Sequence, residues 1–274
     1  AFFCIMKKIL LIGCGHMGNA LLVSWIKSSQ YSLTVVDPIQ YKSLRLKYKR
    51  KSNQFIESIS ELGKIINFDF IVLAVRPSDL IYVLKELGKI KIKNQCAIVS
   101  VIAGKKIGVF EKKFKNISNF FRIMPNMPAL IGQSMNCIVS NKKANILKKK
   151  DVSKLFEYSG KTIFLQNENQ IDMATAISGS GPGFVFNLID AFEKAAINLG
   201  FKKNIAKTLV LETFKGSINL LDINKMSADK LVNTVATKGG TTEAGLKIMN
   251  INKIHKIFKD LARASYKKAK NQGK

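Results

Sequence analysis

The stretch Lys8-Ile9-Leu10-Leu11-Ile12-Gly13-Cys14-Gly15-His16-Met17-Gly18 decides the fold. A short apolar run ends in G-x-G-x-x-G, and the residues that follow, Leu21, Leu22, Trp25 and Ile26, share one face of a helix. An unbroken apolar run is the pattern of a strand buried on both faces, as in a parallel sheet. After a strand and before a helix, such glycines let the backbone approach a pyrophosphate, and the helix N-terminus turns free N–H groups toward it. The same apolar pattern recurs at Leu33-Thr34-Val35-Val36-Asp37, Phe68 to Val75, Ala97-Ile98-Val99-Ser100-Val101 and Phe120-Phe121-Arg122-Ile123. Segments with helical spacing, such as Leu80, Val83, Leu84 and Leu87, lie between the runs. The alternation predicts an α/β, doubly wound sheet that binds a dinucleotide.

Beyond about Leu165 the sequence reads as helices only. Gln166-Asn167-Glu168-Asn169-Gln170 is polar and reads as a linker. From Pro182 to Leu199, Phe184, Leu188, Phe192, Ala195 and Leu199 share one face, with Val185, Ile189 and Ala196 on its flank. So wide an apolar surface predicts a helix buried on more than one side. Asn204 to Leu221 and Ile251 to Lys270 follow with helical periods. The expected division is an NAD(P)-binding Rossmann-type domain over residues 1–166 and an all-helical domain over 167–274.

The 274 residues carry 45 Lys+Arg against 18 Asp+Glu, a formal charge of +27. Only five of the basic residues are Arg, and the lysines are spread along the whole chain. Lys, Ile and Asn share A/T-rich codons, so compositional drift suffices to explain the excess, and neither nucleic acid nor membrane is expected as a partner. The densest basic stretches, Lys42 to Lys51 and Lys148 to Lys150, fall where surface helices are expected, with little aromatic interleaving. Hydrophobic residues at 47% provide for a sizeable core and exclude disorder. No apolar run approaches the roughly 20 residues that cross a bilayer. Cys4, Cys14, Cys96 and Cys137 lack C-x-x-C spacing, which argues against a disulfide framework or structural zinc and for a reducing, cytoplasmic setting. The first eight residues lack the ordered regions of a signal peptide, and Met6 reads as the natural start. His16 and His255 are the only histidines, so a Ser-His-Asp triad and a histidine metal site are poorly supported, and no metal is expected.

The candidate cofactor-binding residues are Gly13, Gly15, His16, Met17 and Gly18 in the turn, together with Asp37 and Ala74-Val75-Arg76-Pro77. Asp37 lies 19 residues past Gly18 at a strand end. It reads either as an acceptor for the adenosine ribose hydroxyls, which leans toward NADH over NADPH, or as the first residue of an Asp-Pro turn. Pro77 disfavours helix at Arg76, so the chain turns at the carboxyl edge of the sheet, where ligands bind in open α/β folds. Arg122-Ile123-Met124-Pro125-Asn126-Met127-Pro128-Ala129 predicts an extended loop after a strand, equally readable as scaffold or site. In Ile177-Ser178-Gly179-Ser180-Gly181-Pro182-Gly183-Phe184, Ser180 reads as the cap of a helix with Pro182 in its first turn. In Thr237-Lys238-Gly239-Gly240-Thr241-Thr242-Glu243-Ala244-Gly245-Leu246, two glycines and two threonines open another helix. Bare N–H groups there suit a carboxylate, Thr242 offers a hydroxyl to a substrate nitrogen, and Thr241 reads alternatively as a plain N-cap.

These motifs in this order resemble the pyrroline-5-carboxylate reductase family, over essentially the whole chain from Met6. The resemblance implies a Rossmann domain followed by a helical substrate-binding and dimerisation domain, in homodimers that in this family often assemble into decamers. It implies reduction of the C=N bond of 1-pyrroline-5-carboxylate to L-proline by NADPH or NADH, the last step of proline biosynthesis. It places the substrate at Thr237, Gly239, Gly240, Thr241 and Thr242, with the N–H groups around Gly239, Gly240 and Thr241 expected on its carboxylate and Thr242 as the catalytic residue at the ring nitrogen. Where the family has Ser-Pro before Gly-Gly this chain has Thr237-Lys238. It has Gly183-Phe184 where Ala-Tyr is usual, His16 for Asn in the turn, and Asp37-Pro38 where a small polar and a basic residue suit NADPH. The alternative reading is a β-hydroxyacid dehydrogenase, which requires a catalytic lysine on the helix after Pro182, where only Lys194 stands. A nucleic-acid-binding protein on a Rossmann scaffold is the reading from another class.

Overall fold

The apolar runs become strands because they are the only segments that can be covered on both faces. In the computed structural model, described over residues 6–48, 52–224 and 226–272, the strands are β1 (Lys7–Ile12), β2 (Tyr31–Val36), β3 (Gln54–Ile56), β4 (Ile65–Ile66), β5 (Phe70–Leu73), β6 (Lys91–Ile92), β7 (Ala97–Ser100), β8 (Asn119–Met124), β9 (Ser134–Ser140) and β10 (Gly160–Phe164). Eight of them form one sheet in the order β10-β9-β8-β7-β5-β1-β2-β3, and β4 pairs with β6 alone. All neighbours in the large sheet run parallel except β8 and β9. The strand order diverges on either side of β1, the switch point at which such sheets open a ligand crevice. The sheet is therefore the expected doubly wound one, made mixed by the single antiparallel pair.

Among the described residues eleven α-helices accompany the strands: α1 (His16–Ile26), α2 (Tyr41–Lys47), α3 (Leu80–Leu87), α4 (Ile107–Lys113), α5 (Ile146–Glu157), α6 (Glu168–Ala174), α7 (Gly181–Asn198), α8 (Lys203–Ile223), α9 (Ala228–Val235), α10 (Thr241–Ile251) and α11 (Ile254–Gln272). Successive strand residues point to opposite faces, and the core divides accordingly. Ile9, Leu11, Phe70, Val72, Val99 and Phe121 pack with Leu21, Leu22 and Trp25 of α1 and with Val152, Leu155 and Phe156 of α5. Leu10, Ile12, Ile71, Leu73, Ile98 and Phe120 pack with α3, α4 and Ile171 of α6. Trp25, fully buried, donates its indole N–H to the Leu155 carbonyl at 2.8 Å, which satisfies the one polar group its burial brings along. The basic stretches lie as expected where described, Lys42 to Lys47 in α2 and Lys148 to Lys150 in α5, and residues 49–51 lie outside the described residues.

The chain forms two compact units, one of Ala1–Ser180 with Ser265–Lys274 and one of Gly181–Ala264. In the second unit α7 packs against α8, with Phe192 edge-on to Phe214 at 6.3 Å. Contrary to the sequence reading, no residue of α7 is buried within the chain, and Val185, Phe186, Leu188 and Phe192 stay exposed. The apolar width of the helix is real, but this chain alone supplies too few neighbours to cover it.

Two local expectations also change. The polar stretch 166–170 is a helix start and not a linker: Asn167 caps α6 by accepting from the Gln170 N–H at 3.1 Å, and Glu168 reaches a buried arginine. Ser180 is not a helix cap either. It has helical dihedrals and donates its N–H to the Thr175 carbonyl at 2.8 Å, closing a π-turn over Thr175–Gly179 that joins α6 to α7. A residue inside a continuous helical path cannot take the extended conformation that a cap requires.

Candidate active site

The carboxyl edge of the sheet gathers the predicted cofactor residues. Gly13 follows β1 with φ of 90°, a left-handed conformation that favours glycine. A Cβ there would lie 2.8 Å from the Ala74 carbonyl, and one on Gly18 only 2.1 Å from the Gly13 carbonyl. Both glycines are therefore fixed by backbone approach, and through Ala74 they tie the turn to the end of β5. Gly15 is the N-cap of α1, and nothing lies within 4 Å of where its Cβ would be. The N–H groups of His16, Met17 and Gly18 meet no acceptor among the described residues, since the helix ladder begins with Asn19 bonded to Gly15 at 2.8 Å. An open cradle, bare first-turn donors and no acidic residue in that turn fit a dinucleotide pyrophosphate.

Asp37 sits beside this turn, 8% exposed. Its Oδ2 accepts from the Cys14 N–H at 2.7 Å, and its Oδ1 accepts from Ile39 and Gln40 at 2.9 and 2.8 Å. That is the turn role: the carboxylate ties the end of β2 to the glycine turn, and a ribose hydroxyl would have to be added to three bonds already made. Cys14 itself points into the core, where burial first and the Asp37 charge second push its thiol up to about 12. At the end of β5, Ala74 and Val75 are half-buried and line the turn, while Arg76 extends into solvent and pairs with Asp79 at 3.0 Å. The Arg76 hydrogen bond, followed by one from Ser78, holds the Asp79 carboxyl below its usual range.

Further along the same edge, β8 carries the 1%-exposed Arg122. Its Nη2 donates to Asp172 Oδ1 at 2.7 Å and its Nη1 to Glu168 Oε1 at 3.5 Å, both on α6. Glu168 Oε1 also accepts from the Ile107 N–H at 2.9 Å, so the cluster joins β8, α4 and α6. Asn126, two residues past β8, accepts from the Met135 N–H and donates to the Ser178 carbonyl. The sequence marks 122–129 as a motif but names none of these partners, of which Glu168, Asp172 and Ser178 stand about 50 residues away.

The predicted substrate residues gather at the start of α10. Gly239 has φ of 76°, and a Cβ on Gly240 would meet Thr237 Oγ1 at 2.6 Å. Gly240 is the N-cap, so Thr241 is the first helical residue and not the cap. The extended dihedrals fall on Gly240 because its N–H turns back to the Thr237 carbonyl at 2.9 Å. The Gly239 N–H is also engaged, donating to Glu243 Oε2 at 2.6 Å. Of the donors expected to hold a carboxylate, Gly239 and Gly240 are therefore spoken for within the chain. The donors that meet no acceptor among the described residues are the N–H groups of Thr241, Thr242 and Glu243. Sequence reasoning missed Glu243, although an acid three residues past an N-cap is the signal of a residue that reaches back over a helix start. Thr242 is half-buried, and Lys238 is exposed and forms no ion pair among the described residues. The predicted cofactor residues thus gather in one unit and the predicted substrate residues in the other. Lys194, the lysine of the hydroxyacid-dehydrogenase alternative, is exposed and paired with Asp190 at 2.6 Å.

Comparison with known proteins gives this geometry its relatives. Residues 168–272 match the family described as pyrroline-5-carboxylate reductase dimerisation, and residues 8–104 match NADP oxidoreductase coenzyme F420-dependent. The chain is 31% identical to pyrroline-5-carboxylate reductase 2 of Bacillus subtilis, over 89% of this chain and 87% of that one. It is 30% identical to the pyrroline-5-carboxylate reductase of Aquifex aeolicus, over 88% of each. The crystal structure of Plasmodium falciparum pyrroline carboxylate reductase with NADP bound superposes with a TM-score of 0.83 at 27% identity, covering 98% of both chains. With the glycine-turn half and the helical half both matched, and relatives at 30–31% identity covering most of the chain, the chain belongs to the pyrroline-5-carboxylate reductase family.

Proposed function

We propose that the protein is a pyrroline-5-carboxylate reductase, transferring a hydride from NADPH or NADH to the C=N carbon of 1-pyrroline-5-carboxylate to give L-proline. The observation that carries the reading is the glycine-opened first turn of α10, whose free donors suit a carboxylate, in a chain whose other unit has the dinucleotide cradle. Gly13, Gly15, His16, Met17 and Gly18 would hold the pyrophosphate, and Ala74, Val75, Arg76 and Pro77 would bound the cofactor beyond it. A reduced nicotinamide, when bound, supplies the hydride. The N–H groups of Thr241 and Thr242 hold the substrate carboxylate, assisted by the positive end of the helix. Thr237, Gly239 and Gly240 shape the loop that exposes them. The Thr242 hydroxyl hydrogen-bonds the ring nitrogen and orients the imine. A cyclic imine is basic enough to be partly protonated in water, so the site needs no strong side-chain acid. Asp37, with its charge taken up by three backbone N–H groups, imposes no strong choice between the two cofactors.

The family is one of self-associating proteins, and we assign the exposed apolar face of α7 and α8 to a second copy in a homodimer, with a decamer as the larger assembly. Among the described residues no helix is long and apolar enough to cross a membrane. The unpaired, buried Cys14, Cys96 and Cys137 accord with a cytoplasmic setting. The decisive experiment follows NADH and NADPH oxidation with 1-pyrroline-5-carboxylate. Turnover with either is the expected result, and none with both overturns the reading. Light scattering on the eluted protein tests the assembly.

A further inference from the structure

We infer that Asn126 is a positioning residue for the nicotinamide end of the cofactor site, acting by latching the π-turn Thr175–Gly179 onto the carboxyl edge of the sheet. The glycine turn after β1 takes the pyrophosphate. On the strand order, with β2 to one side of β1 and β5, β7 and β8 to the other, the adenosine half of a dinucleotide would lie over β2 and the nicotinamide half over the ends of β5, β7 and β8. Asn126 stands just past the end of β8, so it and whatever it holds border that half.

What it holds is an unusual piece of backbone. Ser180 donates to Thr175 five residues back, and the Thr175 hydroxyl bonds the Ile171 carbonyl at 2.8 Å. π-turns are rare, have poorer geometry than an α-helix, and concentrate at functional sites. This one is fastened at two points, one ahead of it and one within it. On its N-terminal side Arg122 grips Asp172. Within it, Asn126 Nδ2 donates to the Ser178 carbonyl at 3.1 Å and to Ser178 Oγ at 3.3 Å. Gly179 lies against Met124, the last residue of β8, with its Cβ position 3.8 Å from the sulfur. The orientation of the Asn126 amide is not free. Its Oδ1 accepts from the Met135 N–H at 3.0 Å and from Ser134 Oγ at 3.1 Å, and its own N–H donates to Ser134 Oγ at 3.1 Å. With the oxygen committed to β9, the nitrogen must face Ser178. One side chain therefore spans from β9 to the π-turn across the end of β8, and sets the position of the wall beside the nicotinamide.

The substitution Asn126→Asp keeps the oxygen that serves Met135 and replaces the donor to Ser178 with a second, charged oxygen that the Ser178 carbonyl repels. Ser178→Ala removes one of the two acceptors and leaves β9 untouched. The inference rests on the reductase reading for its turnover arm and not for its binding arm. The binding arm compares NADPH, followed by its own fluorescence, with 2′,5′-ADP, which lacks the nicotinamide half, followed by calorimetry. Asn126→Asp is expected to weaken NADPH by about fivefold or more and 2′,5′-ADP by less than about twofold, consistent with losing a hydrogen-bonded wall at one end only. In the turnover arm kcat is expected to fall about tenfold, with a larger isotope effect from C4-deuterated NADPH. Ser178→Ala is expected to move each quantity in the same direction by less. Equal weakening of both ligands, or no weakening of NADPH, overturns the inference. So does a loss of turnover that tracks thermal stability with an unchanged isotope effect. If the unaltered protein fails to reduce 1-pyrroline-5-carboxylate, the reductase reading falls, while the NADPH to 2′,5′-ADP comparison still decides the role of Asn126.

Discussion

Replacing Arg122 with Met tests how far the carboxyl edge depends on one buried cation. The side chain is 2% exposed, with Asp172 at 2.7 Å and Glu168 at 3.5 Å, and its Nε has no acceptor among the described residues. At an effective dielectric of about 20, the shorter pair alone is attractive by about 6 kcal/mol before desolvation is subtracted. Methionine fills much of the volume but leaves Asp172, itself 7% exposed, without a counter-charge. Removing one partner of a buried pair costs about 3–5 kcal/mol. At roughly 2–4 °C per kcal/mol for a chain of this size, the midpoint should fall by about 6–20 °C. The fluorescence of Trp25, the only tryptophan and fully buried, reports the transition, at one fixed protein concentration because the protein self-associates. Neutralising the acids as well, with Asp172→Asn and Glu168→Gln, should restore more than half of the loss. A midpoint within about 2 °C of the unaltered protein, or a triple variant as unstable as the single one, would refute the charge argument.

Thr242→Ala should lower turnover about 10- to 100-fold, equivalent to about 1.4–2.7 kcal/mol, with the melting temperature unchanged; an unchanged rate removes Thr242 from the mechanism. Glu243→Gln keeps an acceptor for the Gly239 N–H but removes a negative charge from the helix start, so KM for the anionic substrate should fall about two- to fivefold at low salt, and a rise in KM contradicts the proposed carboxylate site. Asp37→Ala frees the N–H groups of Cys14, Ile39 and Gln40 and should weaken NADH and NADPH together; a change in their ratio beyond about fivefold returns Asp37 to a ribose role. Burial pushes the thiols of Cys14 and Cys96 up to about 12 from an ordinary 9.0, so at pH 8 only about one in 10⁴ is thiolate. Peptide mapping after iodoacetamide should find both unmodified in the native protein and modified in guanidinium. Because the unfolded chain releases these protons first, their contribution to stability is intact below pH 9 and is lost as pH rises toward 12.

What the sequence made legible is what depends on neighbours along the chain. Ile9 to Ile12 and Phe70 to Leu73 are unbroken apolar runs, and both are covered on two faces. The glycine turn is readable because positive φ at Gly13 and close approach at Gly18 permit no other residue. β9 and β10 escape notice for the opposite reason. Ser134-Met135-Asn136-Cys137 mixes polar and apolar residues, and β10 is a half-exposed edge strand. The helix starts are misplaced by a single residue at Thr241 and by a π-turn at Ser180, since cap and first-turn positions accept the same small polar residues. The contacts that organise the nicotinamide side are the least legible. Arg122 meets Asp172 across 50 residues and Asn126 meets Ser178 across 52, and no local pattern encodes such a meeting.

Two helix starts in this chain use the same device, and a single side chain separates their tasks. α1 and α10 both open on an extended glycine without a side-chain cap, Gly15 and Gly240. Each therefore presents bare N–H groups at the positive end of a helix. The first turn of α1 holds no acid, so its field is undiminished and suits the two charges of a pyrophosphate. The first turn of α10 holds Glu243, whose carboxylate already takes the Gly239 N–H and offsets part of the dipole. What remains is the weaker attraction of two or three donors, enough for a single carboxylate. A phosphate, doubly charged and larger, would meet the Glu243 charge at close range. The +27 of the chain cannot make this distinction, because diffuse lysines draw every anion. On the proposed assignment, the choice between cofactor and substrate at these two helix starts thus rests on an acid, and on where it sits.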